Sequence, residues 1–351
     1  MNIQQLLEEV IKRGASDLHL MVGALPTLRI DGGLVALEGY LPVSEDIVTE
    51  LINSILTDDQ KEILSANREI DFSFALGEVA RFRVNVYHQK GYLAAALRYI
   101  PIQIRTMQEL NLPSILNNFT RLNQGFVLVT GPTGHGKSTS LAAMINEINE
   151  NRAEHIITIE DPIEYVFPHR RSLISQRELH LDTHSWDIAL RSALREDPDV
   201  VLIGEMRDYE TISAALTIAE TGHLVFSTLH TNSAASTINR IIDVFPEHQQ
   251  AQVRAQLAMN LVAVVSQRLV PSLEGGRYPA TEVLIVTPAI QNLIRESKVH
   301  QIDNNIQTSQ EFGMISLEHS LLTLVKSGKI TREQALTHAI RPDELTRLLD
   351  R

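Results

Sequence analysis

Apolar residues at Ile3, Leu6, Leu7, Val10 and Ile11 recur at helical spacing and Gly14 closes the run, so the chain is predicted to open on an amphipathic helix. Beyond it, "SDLHLMVG" and "PTLRIDGGLVAL" alternate apolar and polar positions as half-buried strands do, with Asp31, Gly32 and Gly33 forming the turn inside the second. "SEDIVTELINSILTDDQKEILSAN" returns to a helical period, and "DFSFAL", "ARFRVNVYHQ" and "YLAAALRYI" predict a meander of strands. Residues 1–100 therefore read as an α+β domain. "PIQIRTMQELNLPS" carries two prolines and no sustained period, which predicts a linker over residues 101–115.

From residue 125 the pattern changes. "GFVLVTG", "HIITIED", "DVVLIGE" and "HLVFSTL" are near-continuous apolar runs, separated by helical stretches that begin at Lys137 and lie around 185–195 and 209–221. Strands that do not alternate are buried on both faces, as in a parallel sheet of an α/β domain. Residues 116–270 are predicted to form that domain, and residues 271–351 to continue it mainly as helices.

The 351 residues carry a formal net charge of −12 and no cysteine. The length suits two domains. The acidic balance argues against a nucleic-acid or anionic-lipid surface. The lack of cysteine excludes disulfides, thiol catalysis and thiolate-held metals. "MNIQQLLEEVIKRG" reads as an acidic amphipathic helix rather than a signal peptide. No apolar run approaches the ~18 residues of a membrane span.

"GPTGHGKS", residues 131–138, fits G-x-x-x-x-G-K-[ST] in full, and it follows a predicted buried strand and opens a helix. Backbone N–H groups of such a loop curl around phosphates at a helix N-terminus. Lys137 is placed to reach the β/γ-phosphates and Ser138 to hold Mg²⁺. Two predicted strands end in acids where ligands bind in open α/β sheets. "IITIEDPIE" supplies Glu160, Asp161 and Glu164, and "PDVVLIGEMRD" supplies Glu205. Glu205 fits an acid working through Mg²⁺, and Glu160 fits a base for the attacking water.

In the first domain, a two-residue turn at Lys90 and Gly91 would set Arg83 directly opposite Arg98, with Arg81 on the same face. Like charges directly opposite destabilise a sheet, so an anion is expected against them, and a phosphate clamp is one reading. His223 and His230 flank "LVFSTL". If both lay on one strand they would point to opposite faces about 23 Å apart, and could not share a metal. His230 falls at the ligand edge and is a candidate site residue; His223 falls at the opposite end, where a structural role is expected.

These motifs together resemble the secretion ATPases of type II and type IV systems and, within them, the PilT group of pilus-retraction motors. "GASDLHL" and "RIDG" are similar to the group's first domain, "GPTGHGKSTS" to its Walker A loop and "ITIEDPIE" to its Asp box. "LREDPDVVLIGEMRD" is similar to its Walker B region, "TGHLVFSTLHTNSA" to its His box and "PAIQNLIRE" to its C-terminal motif. The resemblance implies an N-terminal PAS-like domain over 1–100, a RecA-like ATPase core over 116–270 and C-terminal helices over 271–351. It implies ATP and Mg²⁺, cradled by Gly131, Pro132, Thr133, Gly134, His135, Gly136, Lys137, Ser138 and Thr139, with Arg83 and Arg98 on the phosphates and His230 near the γ-phosphate. Asp161, Glu164 and His223 belong to the same boxes. Also implied is a cytoplasmic homohexamer, peripheral to the inner membrane, that retracts pili through closure and opening between its domains. Its partners would be a pilus platform protein and a PilU-like paralogue, with no nucleic acid and no membrane insertion. The missing cysteine-rich zinc module favours retraction over assembly. His135 stands where Ser is common, and Ser227 where Gly or Ala is common. Two other readings share the loop: a nucleotide-binding regulator of another motor, and a DNA motor, against which the charge counts.

Overall fold

A computed structural model of the chain describes residues 1–30, 32–77, 79–100 and 103–350. Asp31 of the expected turn and residues 101 and 102 of the expected linker lie outside the described residues. The chain divides into two compact units, Met1–Gln103 with Pro162–Val166, and Ile104–Asp161 with Phe167–Arg351.

The first unit runs α1 (Ile3–Lys12), β1 (Asp17–Met21), β2 (Thr27–Ile30), β3 (Gly33–Ala36), α2 (Glu45–Asn53), α3 (Asp58–Asn67), β4 (Glu69–Leu76), β5 (Ala80–Gln89) and β6 (Tyr92–Ile100). The helical stretch after residue 44 is two helices because Thr57 caps the second: its hydroxyl accepts the Gln60 N–H while the Gln60 side chain accepts the Thr57 N–H. Among the described residues the sheet has six strands in the order β3-β2-β1-β6-β5-β4, with every pair antiparallel. Strict alternation in β5 sends Phe82, Val84 and Val86 into a core with Leu6, Leu7, Val48 and Ile52 of the helices, and leaves Arg81, Arg83 and Asn85 on the other face. Lys90 and Gly91 both have positive φ, 51° and 88°. That is the two-residue type I′ turn whose twist suits a hairpin, and it sets Arg83 opposite Arg98 as expected.

The second unit contains α4 (Leu116–Phe119), β7 (Gly125–Thr130), α5 (Lys137–Asn151), β8 (His155–Glu160), β9 (Leu173–Glu178), α6 (Trp186–Ala193), β10 (Val200–Ile203), α7 (Tyr209–Glu220) and β11 (Leu224–Leu229). It continues with α8 (Ala234–Asp243), α9 (Glu247–Asn260), β12 (Leu261–Pro271), β13 (Arg277–Ile285), α10 (Pro288–Arg295), α11 (Ile302–Thr308), α12 (Leu317–Lys326), α13 (Arg332–His338) and α14 (Pro342–Leu349). Its strands, seven among the described residues, lie in the order β13-β12-β7-β11-β10-β8-β9, parallel except for β12 with β13. Every residue of β7, β10 and β11 is buried, which is why those segments carry no alternation.

Two expectations are corrected. Residues 104–115 belong to the second unit, where Met107 and Leu112 are buried; apolar anchoring replaces the free linker that two prolines suggested. The region 271–351 is not helical throughout, because Arg277–Ile285 pairs along β12 and extends the sheet. Helices α12, α13 and α14 then pack Leu317, Leu321, Ala335 and Leu345 on Val270 and Ala280 of those two strands.

Candidate active site

β7 is flanked by β12 and β11, and the chain leaves its C-terminal end as the loop 131–136. Two glycines are needed by geometry. A Cβ on Gly131 would lie 2.3 Å from the Gln267 carbonyl oxygen of β12, and Gly136, the N-cap of α5, has φ +81°. Lys137 is buried, and its ammonium donates to the carbonyls of Gly131 at 2.9 Å and Pro132 at 3.1 Å. Ser138 is exposed at the start of α5.

The ammonium also reaches His230 Nδ1 at 3.5 Å, and the Thr133 hydroxyl lies 3.3 Å from the same nitrogen. An ammonium only donates, so the Nδ1 lone pair faces Lys137 and the Nε2–H faces Glu205 Oε2, 3.4 Å away. The second Glu205 oxygen pairs with Arg207. His230 thus stands between the loop lysine and the acid that follows β10.

Glu160 ends β8 and is buried. Its Oε1 accepts from the Thr158 hydroxyl at 2.7 Å and from Gln176 Nε2 of β9 at 3.2 Å. Ile159 pairs with Ile203, so Gly204 comes level with Glu160; a Cβ there would lie 3.3 Å from the Glu160 Cα. This close approach brings the acidic ends of β8 and β10 to the same sheet edge as the loop. Asp161 is exposed one residue further on. Ser227 is buried with its hydroxyl donating to the Ile203 carbonyl at 2.8 Å, so this departure is a satisfied cross-strand bond.

His223 lies at the opposite edge. Its Nδ1 is 3.0 Å from the Ile218 carbonyl, which can only accept, so the ring caps the end of α7.

In the first unit the arginine pair does not wait for an external anion. Asp17 of β1 is the partner of Arg98 and accepts from its Nε at 2.9 Å. Arg83 is 4.0 Å from Asp71 and 3.9 Å from Glu164. Across the sheet the row is Asp17, Arg98, Arg83, Ser73, with Asp71 two residues along β4 from Ser73; acids at both ends meet the arginines, so the like-charge argument for a phosphate does not hold by itself. Arg81 donates to the Ser73 hydroxyl at 3.0 Å.

Gln267, Gln176, Thr158 and Arg207 were not singled out from the sequence. Gln267 and Ser266 left a trace, two polar residues interrupting the apolar run "LVAVVSQRLV". Both are buried, and Ser266 bonds Thr130 of β7 at 2.8 Å.

A phosphate-type loop after a buried parallel strand, with acids ending two neighbouring strands, defines a RecA-like P-loop ATPase domain, preceded in sequence by an N-terminal domain. The chain belongs to the type II/IV secretion system protein family, whose pattern it matches over residues 1–276. It is 49% identical to the type IV pilus retractation ATPase PilT of Pseudomonas aeruginosa over 98% of this chain and 99% of that protein. It is 40% identical to the type IV pilus ATPase PilU of the same organism, covering 98% and 90%. A crystal structure of the pilus retraction motor PilT with bound ADP superposes with a TM-score of 0.91 at 47% identity, covering 99% of each chain.

Proposed function

We propose that this chain is an ATP-hydrolysing motor that powers retraction of type IV pili. The observation that carries the reading is the run Lys137–His230–Glu205 beside the buried Glu160, all at the ligand edge of one sheet. In this reading the loop N–H groups and Lys137 hold the β/γ-phosphates, leaving the Gly131 and Pro132 carbonyls to do so. Ser138 and Glu205 offer hard oxygen donors, the type Mg²⁺ takes when phosphates and water complete its shell. A Mg²⁺ ion held by those residues would supply positive charge against the charge that builds on the phosphates. Glu160, fixed by Thr158 and Gln176, orients and deprotonates the attacking water. His230 links phosphate-bound Lys137 to Glu205. Arg83 and Arg98 would join the phosphates by exchanging Asp71, Glu164 and Asp17 for phosphate oxygens.

Likeness to PilT over nearly the whole chain, at 49% identity against 40% to PilU, supports the motor over the regulator reading, as do Lys137, Glu160 and Glu205, the side chains that hydrolysis would use. The working form is a cytoplasmic homohexamer docked peripherally on the inner-membrane pilus platform, with a PilU-like paralogue as a further partner. Steady Mg²⁺-dependent ATP turnover by the purified chain tests it. Glu205→Ala is expected to lower kcat by at least about a hundredfold, the scale of losing a group that meets developing charge. No turnover by the unaltered chain would favour the regulator, and full turnover by Glu205→Ala would remove Glu205 from the chemistry.

A further inference from the structure

His135 lies inside the phosphate-type loop, and its ring bonds to the neighbouring strand. Its Nδ1 lies 2.9 Å from the backbone nitrogen of Leu269 on β12. A backbone N–H can only donate, so Nδ1 is an unprotonated acceptor and the ring proton sits on Nε2. A second contact runs in the same direction, from β12 to His135. The carbonyl of His135 accepts from Gln267 Nε2 at 2.8 Å, and Gln267 Oε1 accepts from the Ser140 hydroxyl, in the first turn of α5, at 2.8 Å. A carbonyl only accepts, so the Gln267 amide has one possible orientation. Gly131 and Gly136 crowd the same residue: their Cβ atoms would come within 2.3 Å of its carbonyl oxygen and 3.0 Å of its Nε2.

We infer that His135 and Gln267 are positioning residues that hold the phosphate loop in shape against β12, and that His135 does so only as the neutral imidazole. The inference rests on the loop binding nucleotide phosphates, as proposed above. Without these bonds the backbone N–H groups of the loop lose the frame that aims them.

The surroundings favour the neutral ring. Burial, chiefly, pushes the His135 pKa below its ordinary value, and the charges of Arg268 on β12, His338 on α13, Arg277 on β13 and Lys137 on α5 act in the same direction. Arg277 also donates to the Gly134 carbonyl at 3.4 Å, and Arg268 to the His338 carbonyl at 2.7 Å. Protonation would remove the acceptor for Leu269 and add a cation among cations. The KM for ATP is therefore expected to rise as pH falls through the titration of His135, below the usual histidine range.

The test is KM and kcat for ATP, at saturating Mg²⁺, from pH 5 to 9 for the full chain, His135→Asn, His135→Ser and Lys137→Ala. Asn keeps an acceptor that does not titrate. His135→Ser is expected to raise KM at neutral pH about fivefold, the scale of one lost hydrogen bond. His135→Asn should restore part of that loss, and its KM should lack the acid rise of the unaltered chain. Identical KM values and pH profiles in the unaltered chain and both His135 variants, with Lys137→Ala inactive, would overturn the positioning role alone. An active Lys137→Ala would instead overturn the phosphate-loop reading. If the His135 variants fail to fold, nitrogen NMR of the histidine-labelled unaltered chain decides: an unprotonated Nδ1 at neutral pH is expected, and an Nδ1–H would sink the inference.

Discussion

Glu282 is an acid that the fold makes harder to ionise. It is fully buried on β13, and burial, opposed by the Ala234 N–H at 2.8 Å, raises its pKa from 4.5 to about 7. Around it Arg341 meets Glu282, Asp303, Glu318 and Glu344 at 3.8, 3.6, 3.7 and 3.4 Å, so one cation serves four carboxylates. The folded state holds a proton on Glu282 that the unfolded state releases near pH 4.5. Its contribution to stability is thus present below pH 4.5 and is lost as pH rises through 7. Glu282→Gln, which still offers an acceptor to Ala234, should melt higher than the unaltered chain at pH 8, with the gap closing towards pH 5; a pH-independent gap would count against a neutral Glu282. Arg341→Met removes the cation that lies within 4 Å of buried Glu282 and Glu318 and should cost on the order of 2–3 kcal/mol in denaturant unfolding.

At the scale of elements, the two hairpins and the parallel strands were the most legible in the sequence, for opposite reasons. β5 alternates because one face is buried, and its register with β6 follows from a two-residue turn. β7, β10 and β11 do not alternate because both faces are buried. β9 has no readable period because four of its six residues, Ser175, Gln176, Arg177 and Glu178, are polar or charged and stand in a row. β13, nine residues with a proline, a threonine and a glutamate among its apolar positions, is masked in the sequence by the helical runs that follow it. The turn itself invites a test. Lys90 holds φ 51°, a conformation that costs a lysine more than an asparagine. Lys90→Asn should stabilise the first domain by roughly 0.5–1 kcal/mol, read as a shift in denaturant midpoint at constant slope.

The candidate site was legible where its chemistry sits in one contiguous motif, as at 131–138, or at a strand end, as at Glu160, Glu205 and His230. Its supports were not, because Gln267 meets the loop from 132 residues away through its bond to His135, and no local pattern records such a partner. The arginine pair shows the converse: its register was readable, but Asp17, 81 residues from Arg98, was not. The expected need for an outside anion came from that missing carboxylate.

For the whole molecule, the charge of −12 leaves little to attract a polyanion. ATP turnover is accordingly expected not to change on adding duplex or single-stranded DNA at low salt; a stimulation that fades with salt would revive a DNA motor. A retraction motor must couple hydrolysis to pilus shortening. The direct measurement is the rate at which single labelled pili shorten in cells whose only copy of this chain carries Glu205→Ala. Pili that extend normally, accumulate and cease to retract are the predicted result. Retraction at the unaltered rate, or loss of pili altogether, would contradict it.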